Sequence, residues 1–391
     1  MEKSNTYCVM PHIGMAVQNY SDFCCCNVNK ESWKNGKHEI MFVYKHQIKD
    51  AYKSYTRKMI ATALDKGIEH PSCKFCWDFE KAEKTSPRQN FNSKFIDIKP
   101  LPDQPQVLII KPGNTCNFAC RMCNPATSTS WYSDAYELTD KEISFPEYTK
   151  QFETIRNSFN KNTSFWTQLE TWIHKFLFID IYGGEPFLTP AIFDLLEHAV
   201  NHGVSKNITL NIHTNCSIYN QKYLDILSNF KKVNFYISFD SHIHEQLSYI
   251  RHKINPELAF SNALKFIDFF KNFDNVWLSC TCTITPYNIY NIDEILFELE
   301  KIFNIKVSAN IVTTDEFDIR HLPVPIKDFL KQKLQEQQIK MFLDQTIPGC
   351  DIYWPKFCEI TDRLDKLRDQ SFSTVFPEWF QILEPYWYKT I

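Results

Sequence analysis

From Val107 onward, short apolar runs of strand character alternate with longer segments of helical period, and this alternation constrains the fold most. Val107–Ile110, Phe176–Tyr182, Asn207–His213, Val233–Phe239, Val276–Ile284 and Val307–Val312 read as six strands. Segments near Ala191–Asn201, Tyr223–Phe230, Pro256–Phe270 and Ile292–Phe303 read as helices, the first stopped by Gly203. Strands joined through helices pair in parallel by right-handed crossovers, which predicts an α/β fold. In barrels of this kind the active site lies at the C-terminal ends of the strands. Trp131–Lys175 lengthens the first connection as an insertion, with a helix expected at Tyr148–Asn160.

Two unusual stretches fall at those strand ends. The first is Ile109-Ile-Lys-Pro-Gly-Asn-Thr-Cys-Asn-Phe-Ala-Cys-Arg-Met-Cys-Asn-Pro125, with Cys116, Cys120 and Cys123. Three thiolates so spaced in a loop can hold three irons of a [4Fe–4S] cluster and leave the fourth open to a substrate. Residues at i, i+4 and i+7 also form the buried stripe of a helix. Pro112-Gly113 before the triplet and Pro125 after it leave little room for one. Zinc is the rival metal for such a cluster of cysteines. The second stretch, Gly183-Gly184-Glu185-Pro186, ends the second strand. Only eight glycines occur in 391 residues, and two stand side by side here. Glycines allow a sharp bend and a close approach to a ligand, while carbonyls and the Glu185 carboxylate can accept from an ammonium.

Composition narrows the setting. A formal charge of −3 without any basic block gives no support for nucleic-acid binding. No apolar run reaches membrane-spanning length, and the polar start Met1-Glu-Lys-Ser-Asn has no signal-peptide pattern, so a cytoplasmic protein without membrane partners is expected. Fourteen cysteines in such a chain point to metal ligands rather than disulfides.

A second cysteine set lies upstream: Cys8, the run Cys24-Cys25-Cys26, and Cys73 with Cys76 in Pro71-Ser-Cys-Lys-Phe-Cys-Trp77. Ile13–Gln18 and Phe23–Asn27 suit hairpin strands about the turn Asn19–Asp22, and Ile48–Lys66 suits a helix stopping at Gly67. Cys73 and Cys76 are expected in a C-x2-C turn, the two-point grip used for zinc or iron–sulfur. Spacing leaves open which of Cys24, Cys25 and Cys26 joins them. Cys280 and Cys282 share one face of a strand and suit core packing, while Cys350 and Cys358 read as free thiols.

The C-x3-C-x2-C triplet after the first strand, with Gly-Gly-Glu-Pro after the second, resembles the radical S-adenosylmethionine (radical SAM) superfamily. That resemblance implies a partial (β/α)6 barrel with a [4Fe–4S] cluster on Cys116, Cys120 and Cys123. It also implies S-adenosylmethionine held at its amino group by Gly183, Gly184, Glu185 and Pro186. Ile212-His-Thr-Asn215 is similar to the family's third-strand end, commonly T-N-G, with Cys216 in the glycine's place. Ile237-Ser-Phe-Asp240 resembles the S-x-D element, which implies Ser238 and Asp240 as cofactor contacts. Met122 stands where many relatives carry an aromatic residue beside adenine. Arg251 is expected as a solvated helix-face charge, with a counter-ion role in the site as the alternative.

The upstream set resembles the twitch or SPASM auxiliary-cluster module of that superfamily. Such modules usually follow the barrel. Here it comes first, as in a group of twitch-containing members whose C-x2-C-W and S-x-R signals match Cys73–Trp77 and Ser86–Arg88. This implies an auxiliary [4Fe–4S] cluster on Cys8, Cys25, Cys73 and Cys76, with Cys25 chosen by analogy with cysteine-pair endings in relatives. The division expected is 1–100 for the small α+β module, 101–330 for the barrel with 131–175 as its insertion, and 331–391 for a helical tail. The tail's Asp365–Trp379 also has the look of the group.

The implied activity is reductive cleavage of S-adenosylmethionine to a 5′-deoxyadenosyl radical that takes hydrogen from a peptide or small-molecule substrate. Electrons would come from a flavodoxin- or ferredoxin-like donor. The outcomes open are oxidation, cross-linking or epimerisation, the last with Cys280 or Cys282 returning hydrogen. No catalytic residue is assigned. The alternative is a non-catalytic binding or regulatory protein, stabilised by zinc or iron–sulfur on the same scaffold. Gly183–Glu185 discriminates, because a scaffold has no need of an ammonium-binding bend.

Overall fold

The computed structural model describes residues 3–18, 21–23, 25, 47–81, 85–160 and 163–388. Its strands are β1 (Gly14–Gln18), β2 (Ser21–Phe23), β3 (Val107–Lys111), β4 (Phe178–Ile181), β5 (Thr209–Thr214), β6 (Lys232–Ser238), β7 (Val276–Ile284) and β8 (Val307–Ile311). They follow the order β2-β1-β3-β4-β5-β6-β7-β8. β1 runs parallel to β3, β3 to β4, β4 to β5 and β7 to β8, while β2 is antiparallel to β1. The α/β class therefore holds, and the six expected strands are β3 to β8 with small shifts at their ends.

Sequence pattern explains these elements. β3, Val-Leu-Ile-Ile-Lys, is apolar throughout and buried along most of its length, as a covered parallel strand should be. β6 alternates buried and part-exposed residues. A helix at Pro256–Phe270 starts where the Asn255 side chain accepts from the Leu258 N–H and proline occupies the first turn. Its neighbour at Ile292–Phe303 ends at Asn304 in the left-handed region.

The chain groups into two compact units: Met1–Thr115 with Gln151–Ile212 and Asn220–Asn234, and Cys116–Lys150 with His213–Tyr219 and Phe235–Ile391. In the first, Val107, Ile109 and Phe178 of the sheet share a core with Val9, Ile13, Ile60, Leu64 and Trp77. In the second, the tail is helical as expected, and its longest helix is α1 (Cys350–Arg368). Among the described residues no helix is long and apolar enough to cross a membrane.

Three local expectations need correction. The hairpin pairs Gln18 with Ser21, so its second strand starts before Phe23; Cys24, Cys26 and Asn27 lie outside the described residues. Ile48–Lys66 is two helices, Ile48–Tyr52 and Tyr55–Asp65, parted at Lys53-Ser54. There Tyr52 donates to the His12 carbonyl while the Arg57 guanidinium lies 3.9 Å from its ring and donates to the Gly14 carbonyl, so tertiary anchors set the break. Finally, Cys76 lies within a helix (Lys74–Lys81), with Cys73 in the preceding tight turn.

Candidate functional site

Cys116, Cys120 and Cys123 lie in an irregular loop, and the helical-stripe alternative is excluded. Such a loop must send its backbone polar groups elsewhere. The Cys116 carbonyl accepts from the hydroxyls of Thr129 (3.1 Å) and Ser130 (2.9 Å). The Trp131 indole donates to the Cys120 carbonyl at 2.8 Å, and Ser128 to the Phe118 carbonyl at 2.6 Å. The N–H groups of Ala119 and Arg121 donate to the carbonyls of His252 and Ile250 at 2.9 and 2.8 Å. Cys120 is buried, Cys116 and Cys123 half-buried. Cys120 is held well above the usual thiol range, first by a hydrogen bond with Cys123 and then by burial; Cys116 adds to this and Arg251 opposes it. The three thiols thus share one electrostatic neighbourhood.

Asn215 Nδ2 stands 3.8 Å from Cys116 Sγ and 3.1 Å from Asn117 Oδ1. Its neighbour Cys216 is fully buried with φ +61°, left-handed as a glycine would be. Arg251 corrects the solvated-charge expectation. It is buried, and its Nε and Nη2 donate to the Asp240 carboxylate at 2.7 and 3.1 Å. Burial works against its charge, but Asp240 and Cys120 outweigh that and hold its pKa above the usual value. Asp240, expected at the cofactor, is wholly buried and committed to Arg251 and to the Thr283 N–H (2.8 Å). Its carboxylate therefore orients Arg251 and β7. Ser238 ends β6 half-buried.

The paired glycines follow β4, in the first unit. Gly183 and Gly184 have φ +84° and +59°. A Cβ on Gly184 would sit 2.6 Å from the Thr115 carbonyl oxygen, so only glycine fits; on Gly183 it would meet the flexible Lys111 side chain. The Glu185 N–H donates to that Thr115 carbonyl at 2.8 Å. Glu185 is buried and its carboxylate caps the tight turn Pro186–Leu188 by accepting from the Phe187 N–H at 3.1 Å.

The upstream cysteines are brought together. Cys8, Cys25, Cys73 and Cys76 line one cavity with Arg88 and Phe91. Asn92 accepts from the Val9 N–H and donates to the Tyr7 carbonyl, each at 2.8 Å, fixing the chain on both sides of Cys8. Arg88 donates to the Tyr7 carbonyl at 2.7 Å, pairs with Glu80 and lies 5.1 Å from the Trp77 ring. Burial first, then neighbouring thiols, pushes Cys73 up to about 12; burial and Cys25 do the same for Cys76. Such thiols become thiolates readily only when a metal replaces the proton. The spacing of Ser86 and Arg88 was legible, but the part of Asn92 carried no signal.

Cys280 and Cys282 are wholly buried in β7. Cys358 is buried in α1 and Cys350, at its start, is half-buried. Among the described residues no three His, Cys, Asp or Glu side chains form a group that could hold a metal ion. Thiolates on separate irons of a cluster stand farther apart than those on one ion.

Residues 110–300 match the family model for the radical SAM superfamily. A search of the curated proteins finds no match. Among solved structures, native anSMEcpe with bound AdoMet is 18% identical, with a TM-score of 0.39 over 58% of this chain and 59% of that one. The chain thus spans little more than half of that protein. SuiB of Streptococcus suis bound to S-adenosylmethionine is 15% identical, with a TM-score of 0.35 over 82% of this chain and 70% of that one. The methyltransferase TsrM from Kitasatospora setae, with cobalamin and a [4Fe-4S] cluster bound, is 12% identical, with a TM-score of 0.37 over 52% and 36%. Residues 110–300, just under half of the chain, are thus similar to the radical SAM superfamily.

Proposed function

We propose that the chain is a radical SAM enzyme in which Cys116, Cys120 and Cys123 hold a [4Fe–4S] cluster, with Gly183–Pro186 and Ser238 as the S-adenosylmethionine contacts. When bound, the reduced cluster supplies the electron that cleaves S-adenosylmethionine to methionine and a 5′-deoxyadenosyl radical, which abstracts hydrogen from substrate. The chain's own part is to position and shield. The single observation that carries the reading is the loop: three thiols in mutual electrostatic reach, on a backbone whose carbonyls and N–H groups are bonded to Ser128–Trp131 and 250–252. Such anchoring fixes ligands before the group arrives. Buried Arg251, locked by Asp240, places a permanent cation near an anionic cluster. The Gly184 bend, which a side chain would block at the Thr115 carbonyl, is where an ammonium would bind.

In the same reading Cys8, Cys25, Cys73 and Cys76 hold a twitch-like auxiliary [4Fe–4S] cluster, coordinatively closed by four thiolates, with Arg88 as its nearby cation. A closed cluster passes electrons and does not ligate substrate. This favours a net oxidation or cross-link of a peptide or small molecule, with epimerisation the remaining outcome, in a cytoplasmic setting with a flavodoxin- or ferredoxin-like donor. The test is anaerobic reconstitution, dithionite reduction and assay of 5′-deoxyadenosine. Wild type should produce it, and the combined variant C116A/C120A/C123A should not. Equal formation by both, or zinc without iron in the wild type, contradicts the proposal.

A further inference from the structure

The matched family segment ends at residue 300, yet the loop carrying the triplet is held by α1, far beyond it. Leu364 of α1 shares a core with Ala119 and Trp131, and Ile360 and Cys123 pack against it. Arg121, between Cys120 and Cys123, is fully buried. Its Nε donates to the Tyr249 carbonyl at 2.9 Å, and its Nη2 to the Gln370 Oε1 at 3.0 Å and to the Asp365 carboxylate. Its guanidinium lies 3.6 Å from the Tyr249 ring centre. Asp365 in turn accepts from the Tyr249 hydroxyl at 2.7 Å and from the Phe372 N–H at 2.6 Å. One turn on, Arg368 pairs with Asp134 and lies over Trp131, whose indole holds the Cys120 carbonyl.

We infer that Asp365 is a positioning residue for the cluster ligands Cys120 and Cys123, acting through Arg121. This rests on the cluster reading of the triplet. Arg121 and Cys120 are consecutive, so rotation of a released guanidinium out of its slot would carry the Cys120 peptide with it. A buried arginine that loses its carboxylate is an uncompensated charge and must move or draw in water. The displacement would fall on the ligand loop. An ion pair serving only the tail's stability would leave the loop's ligand geometry unchanged.

The test uses the full reconstituted protein. It follows the part of the reduced cluster's electron paramagnetic resonance that shifts when S-adenosylmethionine is added, together with loss of that part to a chelator. D365N should lose this signal about tenfold faster than wild type and show an altered line shape, as outer-shell partners of metal ligands do. Q370A, which removes one acceptor from the same guanidinium, should act in the same direction by about threefold. K366A, on the exposed side of the helix, should match wild type. Circular dichroism melting establishes that each variant is folded, and Q370A decides the matter if D365N is not. Wild-type decay and line shape in the folded variants would overturn the positioning role alone. A wild type that forms no S-adenosylmethionine-responsive signal would overturn the cluster reading and this inference together.

Discussion

The loop of Cys116, Cys120 and Cys123 has no regular structure, and its backbone is set by hydrogen bonds donated from Ser128–Trp131 and donated by the loop to the Ile250 and His252 carbonyls. Cys8, Cys25, Cys73 and Cys76 instead border an apolar core, where Arg88 and Asn92, from the helix at Pro87–Phe95, fix the flanks of Cys8. One set offers three thiols and the other four. With three, the metal group keeps a position for a ligand; with four, it is closed. On the proposed reading, the contrast separates a site for chemistry from a site for electrons, using the same side chain in both.

The largest expected effect comes from removing one set at a time. C116A/C120A/C123A should lower 5′-deoxyadenosine formation by at least about a thousandfold, beyond the reach of any single binding contact. C73A/C76A should remove about four irons per chain and leave S-adenosylmethionine cleavage within about threefold. Iron analysis and product assay on both variants check this, and equal loss of cleavage would erase the distinction.

The paired glycines give the next effect. Both substitutions strain a left-handed backbone; Gly184→Ala also drives a Cβ toward the Thr115 carbonyl oxygen, whereas Gly183→Ala adds only a contact with the flexible Lys111 side chain. S-adenosylmethionine affinity, by equilibrium dialysis, should fall about thirtyfold or more for G184A and about fivefold for G183A, following strain of about 2–3 against about 1 kcal/mol.

Arg88→Lys keeps a charge but loses the fork that serves Glu80 and the Tyr7 carbonyl. Urea denaturation should show a loss of about 1–3 kcal/mol. Iron should leave the four-cysteine set faster, while the S-adenosylmethionine-responsive signal is unchanged.

The smallest effect is expected at Cys216. Glycine there relieves a left-handed backbone worth about 1–2 kcal/mol, but gives up a fully buried side chain of similar worth. C216G should unfold within about 1 kcal/mol of wild type. A larger loss would mean that the thiol contributes more than packing.

How far the sequence announced all this depends on the range of the interactions. The helix Pro256–Phe270 and strand Val276–Ile284 follow the expected bounds because caps and periodicity act within a few residues. Cys25 was an analogy, and the fold sets it beside Cys8, Cys73 and Cys76. What stayed hidden was long-range. Sequence pattern predicts a solvated charge at Arg251, whereas Asp240 receives it in the core, and the carboxylate partner of Arg121 follows 244 positions later. Local pattern cannot reveal a partner that only the tertiary fold supplies.

The most direct measurement is electron–nuclear double resonance on the reduced, reconstituted protein with S-adenosylmethionine carrying ¹⁵N at its amino group. A hyperfine coupling to that nitrogen, present in the wild type and in C73A/C76A but absent from C116A/C120A/C123A, is the result expected of an open iron in the three-cysteine set. No coupling in a wild type carrying about eight irons, or a coupling that survives loss of the triplet, would contradict it.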